Sequence, residues 1–212
     1  SVMRNVNYTV SNISDDYFII SFNNNRLKAF YNGSNWNSEI NPNRYKIQNL
    51  SNAGEQYWLV TTVDGTKYRF GFTNASRLYS NTGKNYYVKW NLDLIEDVNS
   101  NQVVYAYQQN PYSEDNGTLY LRNISYNNDS LKLIVFTYES QVRPDRRLVY
   151  EQGNLLEESR RLNGISVFFN NSLIRRYNIN YNTNDIKSLS SLTNITYFGS
   201  DNSSILNTVK FE

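Results

Sequence analysis

Short runs rich in aromatic and β-branched residues alternate along the chain with clusters of Asn, Asp, Gly and Ser. That spacing predicts strands separated by turns, as in all-β folds. Tyr17-Phe18-Ile19-Ile20-Ser21-Phe22 leads into Asn23-Asn24-Asn25, and Arg26 to Tyr31 resumes the extended pattern before Asn32-Gly33. This predicts a hairpin followed by a tight turn. Gln56 to Val63, then Asp64-Gly65, then Lys67-Tyr68-Arg69-Phe70 predicts a second hairpin. There, Asp-Gly supplies the positive φ of a two-residue primed turn.

The second half repeats the scheme. Leu131, Leu133 and Val135 alternate with Lys132, Ile134 and Phe136, so both faces are largely apolar and the strand is expected to be central and covered twice. Tyr177, Ile179 and Tyr181 alternate with Asn178, Asn180 and Asn182, which predicts a half-buried strand. Leu155 to Arg161 and Ile186 to Leu192 could each form a turn or two of helix, but both lie between strand patterns and are read as loops. Pro111 with the polar Ser113 to Gly117 is the best boundary. It divides a 1–110 subregion from a 111–212 subregion, unless the whole is one continuous β domain. The expected fold is all-β, with many short antiparallel strands in hairpins forming a large curved sheet or sandwich-like layers, and little or no helix.

Composition supports this reading. The 212 residues include 19 Tyr, 10 Phe and 3 Trp against one Met, which favours a pleated surface over helices. A chain this long can bury roughly 70% of its unfolded surface. Its 21 basic and 19 acidic residues leave a net charge of +2 with no long block of one sign, which argues against a nucleic-acid partner. No apolar run approaches the roughly 18 to 20 residues of a membrane-spanning helix, and Ser1 to Asn5 lacks the apolar core of a signal peptide. The start is therefore read as a processed end or the cut edge of a longer chain.

The chain has no His and no Cys, and so lacks the commonest general base, the commonest transition-metal ligand and the thiol nucleophile. Carboxylate pairs remain: Asp15-Asp16, Asp93 with Glu96-Asp97, and Glu157-Glu158. Adjacent acids on a strand point to opposite faces, so these are read as solvated or Arg-paired. Asp97, Asn99 and Asn101 imitate the start of a calcium loop, but Gln102 and Gln108 stand where Gly and Glu are required; a hairpin turn with Asx hydrogen bonds is the better reading. Trp36, Trp58 and Trp90 are assigned to core packing rather than to a sugar surface. Arg146-Arg147 and Arg160-Arg161 are expected to pair with Glu151, Glu157 and Glu158. No catalytic, cofactor-binding or metal-binding residue is assigned, and no cofactor is expected.

Asparagine is the commonest residue. Acceptor sequons begin at Asn7, Asn12, Asn32, Asn49, Asn74, Asn116, Asn123, Asn128, Asn170, Asn194 and Asn202, against roughly six expected by chance. The excess favours a glycosylated surface protein over compositional drift.

Three stretches carry a family resemblance. The first runs from Trp58 through Asp64-Gly65-Thr66-Lys67-Tyr68-Arg69-Phe70-Gly71. The second is Lys89-Trp90-Asn91-Leu92-Asp93-Leu94-Ile95-Glu96-Asp97-Val98-Asn99-Ser100-Asn101, running into Val104-Tyr105-Ala106-Tyr107. The third strings together Phe136 to Glu139, Arg143 to Arg147, Arg160 to Ile165, Leu173 to Tyr181, Ser191 to Ile195 and Gly199 to Asp201. Their order and spacing, over about residues 55 to 212, resemble the SpvB-like and insecticidal toxin-complex B-component proteins, relatives of the Rhs and YD-repeat shells. The resemblance implies long β-sheet walls that coil into a closed or partly closed shell enclosing a cargo, with the family's catalytic modules outside this region. One departure is Ser100, which replaces the family's turn glycine and would throw the positive φ onto Asn99 or Asn101. Another is length, which implies a fragment of a shell or an unusually short member.

The function expected is thus a non-catalytic structural shell or scaffold segment of a secreted or cell-surface protein. Its partners would be other β segments of the same chain or neighbouring copies, joined through edge strands, together with N-linked glycans. The alternative is a glycosylated extracellular filament or adhesin subunit assembled by inter-subunit strand pairing.

Overall fold

The computed structural model describes residues 1–5, 16–40, 42–83, 85–127, 131–146, 148–151, 153–182 and 189–211. In the first half the strands are β1 (Val2–Asn5), β2 (Tyr17–Phe22), β3 (Asn25–Tyr31), β4 (Trp36–Ser38), β5 (Tyr45–Asn52), β6 (Glu55–Thr62), β7 (Lys67–Phe70), β8 (Arg77–Tyr79), β9 (Tyr87–Trp90) and β10 (Leu92–Glu96). In the second half they are β11 (Gln102–Gln109), β12 (Leu119–Tyr126), β13 (Lys132–Tyr138), β14 (Leu148–Glu151), β15 (Asn154–Glu157), β16 (Leu162–Phe169), β17 (Ser172–Tyr181), β18 (Leu192–Phe198) and β19 (Ile205–Lys210). Among the described residues the only helix is two 3-10 turns, Pro42–Arg44 and Asn74–Ser76, and no helix is long and apolar enough to cross a membrane. The all-β expectation holds, and every pairing is antiparallel.

The first half is a barrel. β1 to β7 ladder in sequence order. Closure comes from one run, 87–96, broken at Asn91. Its first part, β9, pairs with β1 through Val2↔Trp90, and its second part, β10, pairs with β7 through Leu92↔Phe70. Alternation along these strands sends Phe18, Ile20, Trp58, Val60, Phe70 and Trp90 into a core where each is at most 1% exposed. Phe18, Trp36 and Trp58 meet edge to face or tilted, with ring centroids 4.5–5.2 Å apart, a geometry that adds about 1 kcal/mol per pair to area burial. Trp58 and Trp90 are buried in the core and the half-buried Trp36 packs against it, in keeping with the expectation of core packing.

The second half is a wall. β11, β12, β13, β16, β17, β18 and β19 continue outward from β10 in that order. Directly paired residues share a face, and the registers sort the wall into two unlike faces. One carries the rows Tyr105–Ile124–Ile134–Val167, Phe136–Ile165–Tyr177–Tyr197 and Ile179–Ile195–Val209. The other carries Thr137–Gly164–Asn178–Thr196–Thr208 and Asn123–Val135–Ser166–Arg176–Phe198. β13 is internal to the sheet, but Leu133, Ile134, Val135 and Phe136 are only half-buried. The expected double covering is absent because these strands contact their sheet neighbours and no second layer among the described residues.

Three local expectations are corrected. Residues 154–157 form β15, paired with β14 in a separate two-stranded sheet, so the stretch read as a loop from Leu155 begins as a strand; of the second such stretch, 186–188 lie outside the described residues, 189–191 form no regular element, and Leu192 opens β18. The β6–β7 connection is a three-residue loop rather than a two-residue one. Gly65 N donates to Thr62 O at 2.9 Å and Thr62 N to Thr66 O at 3.0 Å, and Gly65 alone has positive φ, +83°. The β10–β11 loop copies it: Ser100 N donates to Asp97 O and Asp97 N to Asn101 O. Here the positive φ, +65°, falls on Ser100 itself and not on its neighbours, because this loop type fixes the left-handed position by its hydrogen bonds. The β2–β3 hairpin forms as expected, and its turn is of a primed type, with Asn23 and Asn24 at φ 42° and 58°.

Candidate functional site

β13 and β16 are neighbours in the wall, so residues 139–161 leave the sheet and return to it, carrying the β14–β15 hairpin. Polar contacts fasten this excursion at its tip, flank and root. At the tip, buried Asn154 Oδ1 accepts from Ser80 Oγ (2.7 Å) and Asn81 N (3.0 Å), while its Nδ2 donates to Tyr86 Oη (3.0 Å) and Glu151 O (3.2 Å). Asn81 returns the contact, donating to Leu155 O and accepting from Leu155 N. The hairpin is thereby docked on the barrel. Along its flank, Asn116 and Glu157 exchange backbone hydrogen bonds of 3.0 and 2.7 Å, and Thr118 Oγ1 donates to Glu157 O at 2.7 Å. That ties it to the wall.

The root is a charged knot. Tyr120 Oη donates to Asp115 Oδ1 (2.9 Å) and accepts from Ser159 N and Arg160 N (3.1 Å each). Burial, with the Asp115 carboxylate adding to it, pushes the Tyr120 phenol up to about 12. Ser159 Oγ donates to Asp115 at 2.6 Å, and Arg160 reaches Glu114 at 3.0 Å. Arg161 grips both oxygens of Glu139 at 2.6 and 2.8 Å and also donates to Ser190 Oγ. Asp145 takes Arg143 on both oxygens and Ser190 through N and Oγ. The Arg143 guanidinium first, with the Ser190 donors, holds the Asp145 carboxyl well below the usual range. Each carboxylate is engaged by fixed donors and the phenol stays protonated, so the knot is suited to holding segments together.

The carboxylates singled out in the sequence are dispersed. Asp15 lies outside the described residues, and Asp16 is buried against Arg4 at 2.6 Å. Asp93 is buried and accepts from Arg69 Nε, Phe72 N and Ser76 Oγ. Glu96 pairs with Lys67 and Gln102. Asp97 accepts from Asn99 N, Asn101 N and Asn101 Nδ2, each at 2.8 Å, which is the Asx turn expected. Among the described residues no three carboxylates converge. Arg146 meets Glu157 at 2.9 Å as expected, and Arg147 lies outside the described residues. Arg160 and Arg161 were assigned to Glu151, Glu157 and Glu158, but pair with Glu114 and Glu139 instead. The hairpin lifts 148–157 off the sheet, and the two arginines are buried where the chain rejoins it.

Of the sequon asparagines, Asn7, Asn12 and Asn128 lie outside the described residues. Asn32, Asn74, Asn170 and Asn202 are exposed, whereas Asn49, Asn116, Asn123 and Asn194 are half-buried. Asn49 Nδ2 is enclosed, and the side chains of Asn116 and Asn194 accept hydrogen bonds from Asn81 and Asn180. The fastening residues Asn81, Asn154, Asp115, Tyr120 and Ser190 drew no attention in the sequence, since the contacts that join one segment to another span 29 to 74 positions and no local pattern marks them.

The whole chain aligns with solved structures at low identity. It is similar to the N-terminal domain of effector protein SpvB from Salmonella typhimurium strain LT2, with a TM-score of 0.64 at 15% identity, covering 100% of this chain and 86% of that one. It is also similar to the Photorhabdus luminescens Tc holotoxin pore, with a TM-score of 0.71 at 13% identity, and to the TcdB2-TccC3-Cdc42 crystal structure, with a TM-score of 0.68 at 13% identity. In both, 99% of this chain is covered and only 13% of the other. No curated protein matches. The sequence model of SpvB, described as Salmonella virulence plasmid 65kDa B protein, matches residues 3–143; with more than half of its 212 residues so matched, the chain belongs to the SpvB family.

Proposed function

We propose that this chain is a structural, non-catalytic segment of the β-sheet shell of a toxin component that acts outside the cytoplasm. The observation that carries the reading is the wall. In its seven strands, β11 to β13 and β16 to β19, only Tyr120 and Gly164 are buried, one face is a continuous set of apolar rows, and every residue of edge strand β19 is exposed. An unlayered apolar face with an open edge recruits further strands. In this reading other β segments of the same protein, or neighbouring copies, add at β19. The fold shared with the Tc toxin structures supports it, as does the commitment of the buried charged groups to pinning barrel, hairpin and wall together.

The test is light scattering after size exclusion on the 212-residue chain and on Val209→Lys, which puts a charge on the apolar face of the edge strand. The wild type should associate as concentration rises, while the variant stays monomeric with an unchanged melting temperature. A wild type that remains monomeric at high concentration would overturn the reading.

A further inference from the structure

The polar face of the wall holds a groove of about 840 Å³ over β13, β16 and β17, walled at one side by the β18–β19 turn. Thr137, Ser166, Asn178 and Asn202 line it, with Phe168 at one end and Arg176 among them. Glu139 also borders it, but both oxygens of that carboxylate are taken by Arg161. Arg176 is anomalous. Every other buried or half-buried arginine among the described residues, namely Arg4, Arg69, Arg77, Arg143, Arg160 and Arg161, faces a carboxylate. Arg176 faces none. Its guanidinium lies 4.5 Å from the centre of the Phe198 ring, and its Nε is buried without a hydrogen-bond partner. A partly desolvated guanidinium is stabilised by an anion that offers paired acceptors, and a carboxylate fits that fork best.

What surrounds the cation narrows the ligand. The strands beneath the groove are all internal, paired on both sides, so their backbone groups are taken. An extended peptide laid there would leave its own N–H and C=O groups to side chains alone. Sugar hydroxyls, which both donate and accept, match the amides and hydroxyls of the lining. We propose that this groove binds an acidic saccharide, its carboxylate on Arg176 and its hydroxyls on the neighbouring amide and hydroxyl side chains.

The experiment is titration of the full chain with glucuronic acid and N-acetylneuraminic acid, followed by calorimetry or amide chemical shifts, with glucose and sodium acetate as comparison probes. At least one acidic sugar should bind about tenfold or more tightly than either comparison probe, and Arg176→Gln should weaken it at least about tenfold. Ser166 is registered directly opposite Arg176, so Ser166→Asp supplies the missing carboxylate from within. It should abolish binding while raising the melting temperature, which keeps the test available if Arg176→Gln folds poorly. Equal affinity for acetate and the acidic sugars, equal affinity for glucose, binding that survives either substitution, or no binding at all would each overturn the proposal.

Discussion

Gly71 lies so close to Trp90 that a Cβ on it would fall 2.1 Å from the indole Cδ1. Its φ is +74°, and its amide donates to Asn91 O at 2.9 Å. The contact sits at the seam where the run 87–96 passes from one side of the barrel to the other. Gly71→Ala should therefore combine overpacking with left-handed strain and destabilise by about 3 kcal/mol or more. Gly54→Ala makes the control. Its φ is +84° but nothing lies within 4 Å of the added carbon, so the loss should be about 1 kcal/mol. Urea denaturation of both would show the difference; equal losses would mean the seam can give way.

Ser100 holds the position that Gly65 holds in the matching loop. A non-glycine residue in the left-handed region is strained by about 1 to 2 kcal/mol, partly offset by the greater unfolded-state freedom of glycine. Ser100→Gly is expected to stabilise by roughly 0.5 to 1 kcal/mol, read as a shift of the urea midpoint without a change of slope.

Asn154 fastens the hairpin through four hydrogen bonds. Asn154→Ala removes all four, two of them from the buried hydroxyls of Ser80 and Tyr86, a loss of about 2 to 3 kcal/mol. The opening should be local: hydrogen exchange should rise across 148–157 and not in β2 or β6.

Asp145 ties the root of the clasp to pH. Its folded pKa is depressed below the usual value of about 3.9, so its stabilisation is complete above that value and is lost as pH falls through the lower range. At neutral pH Asp145→Asn should be less stable by about 2 kcal/mol. The gap between variant and wild type should shrink below about pH 4, which urea denaturation across that range would record.

Legibility of the fold followed the range of the interactions. The β2–β3 hairpin was readable because Asn23-Asn24 satisfies the turn locally, and the Trp58 and Trp90 core because alternation is a local signal. The β6–β7 and β10–β11 loops were placed correctly, but their type was not. Asp64-Gly65 suits both a two-residue and a three-residue loop, and the choice is made by the Thr62–Thr66 hydrogen bonds. The clasp was hidden altogether: Leu155 to Glu157 becomes a strand by pairing with β14, and Asn154 finds its barrel partners 68 to 74 positions back. The single-layer wall was hidden for a related reason. Alternating apolar faces announce that a sheet is made to be covered, not what covers it.

Hydrogen exchange along β19, measured in the isolated chain diluted below the concentration at which it associates, tests the central claim of an open wall most directly. The amides of Ile205 to Lys210 that do not face β18 should exchange within seconds, while those of β2, β6 and β9 in the barrel stay protected for far longer. Protection of every β19 amide in the monomeric chain, equal to that of the barrel strands, would contradict the account: the edge would already be closed, and the wall would not be a segment awaiting more sheet.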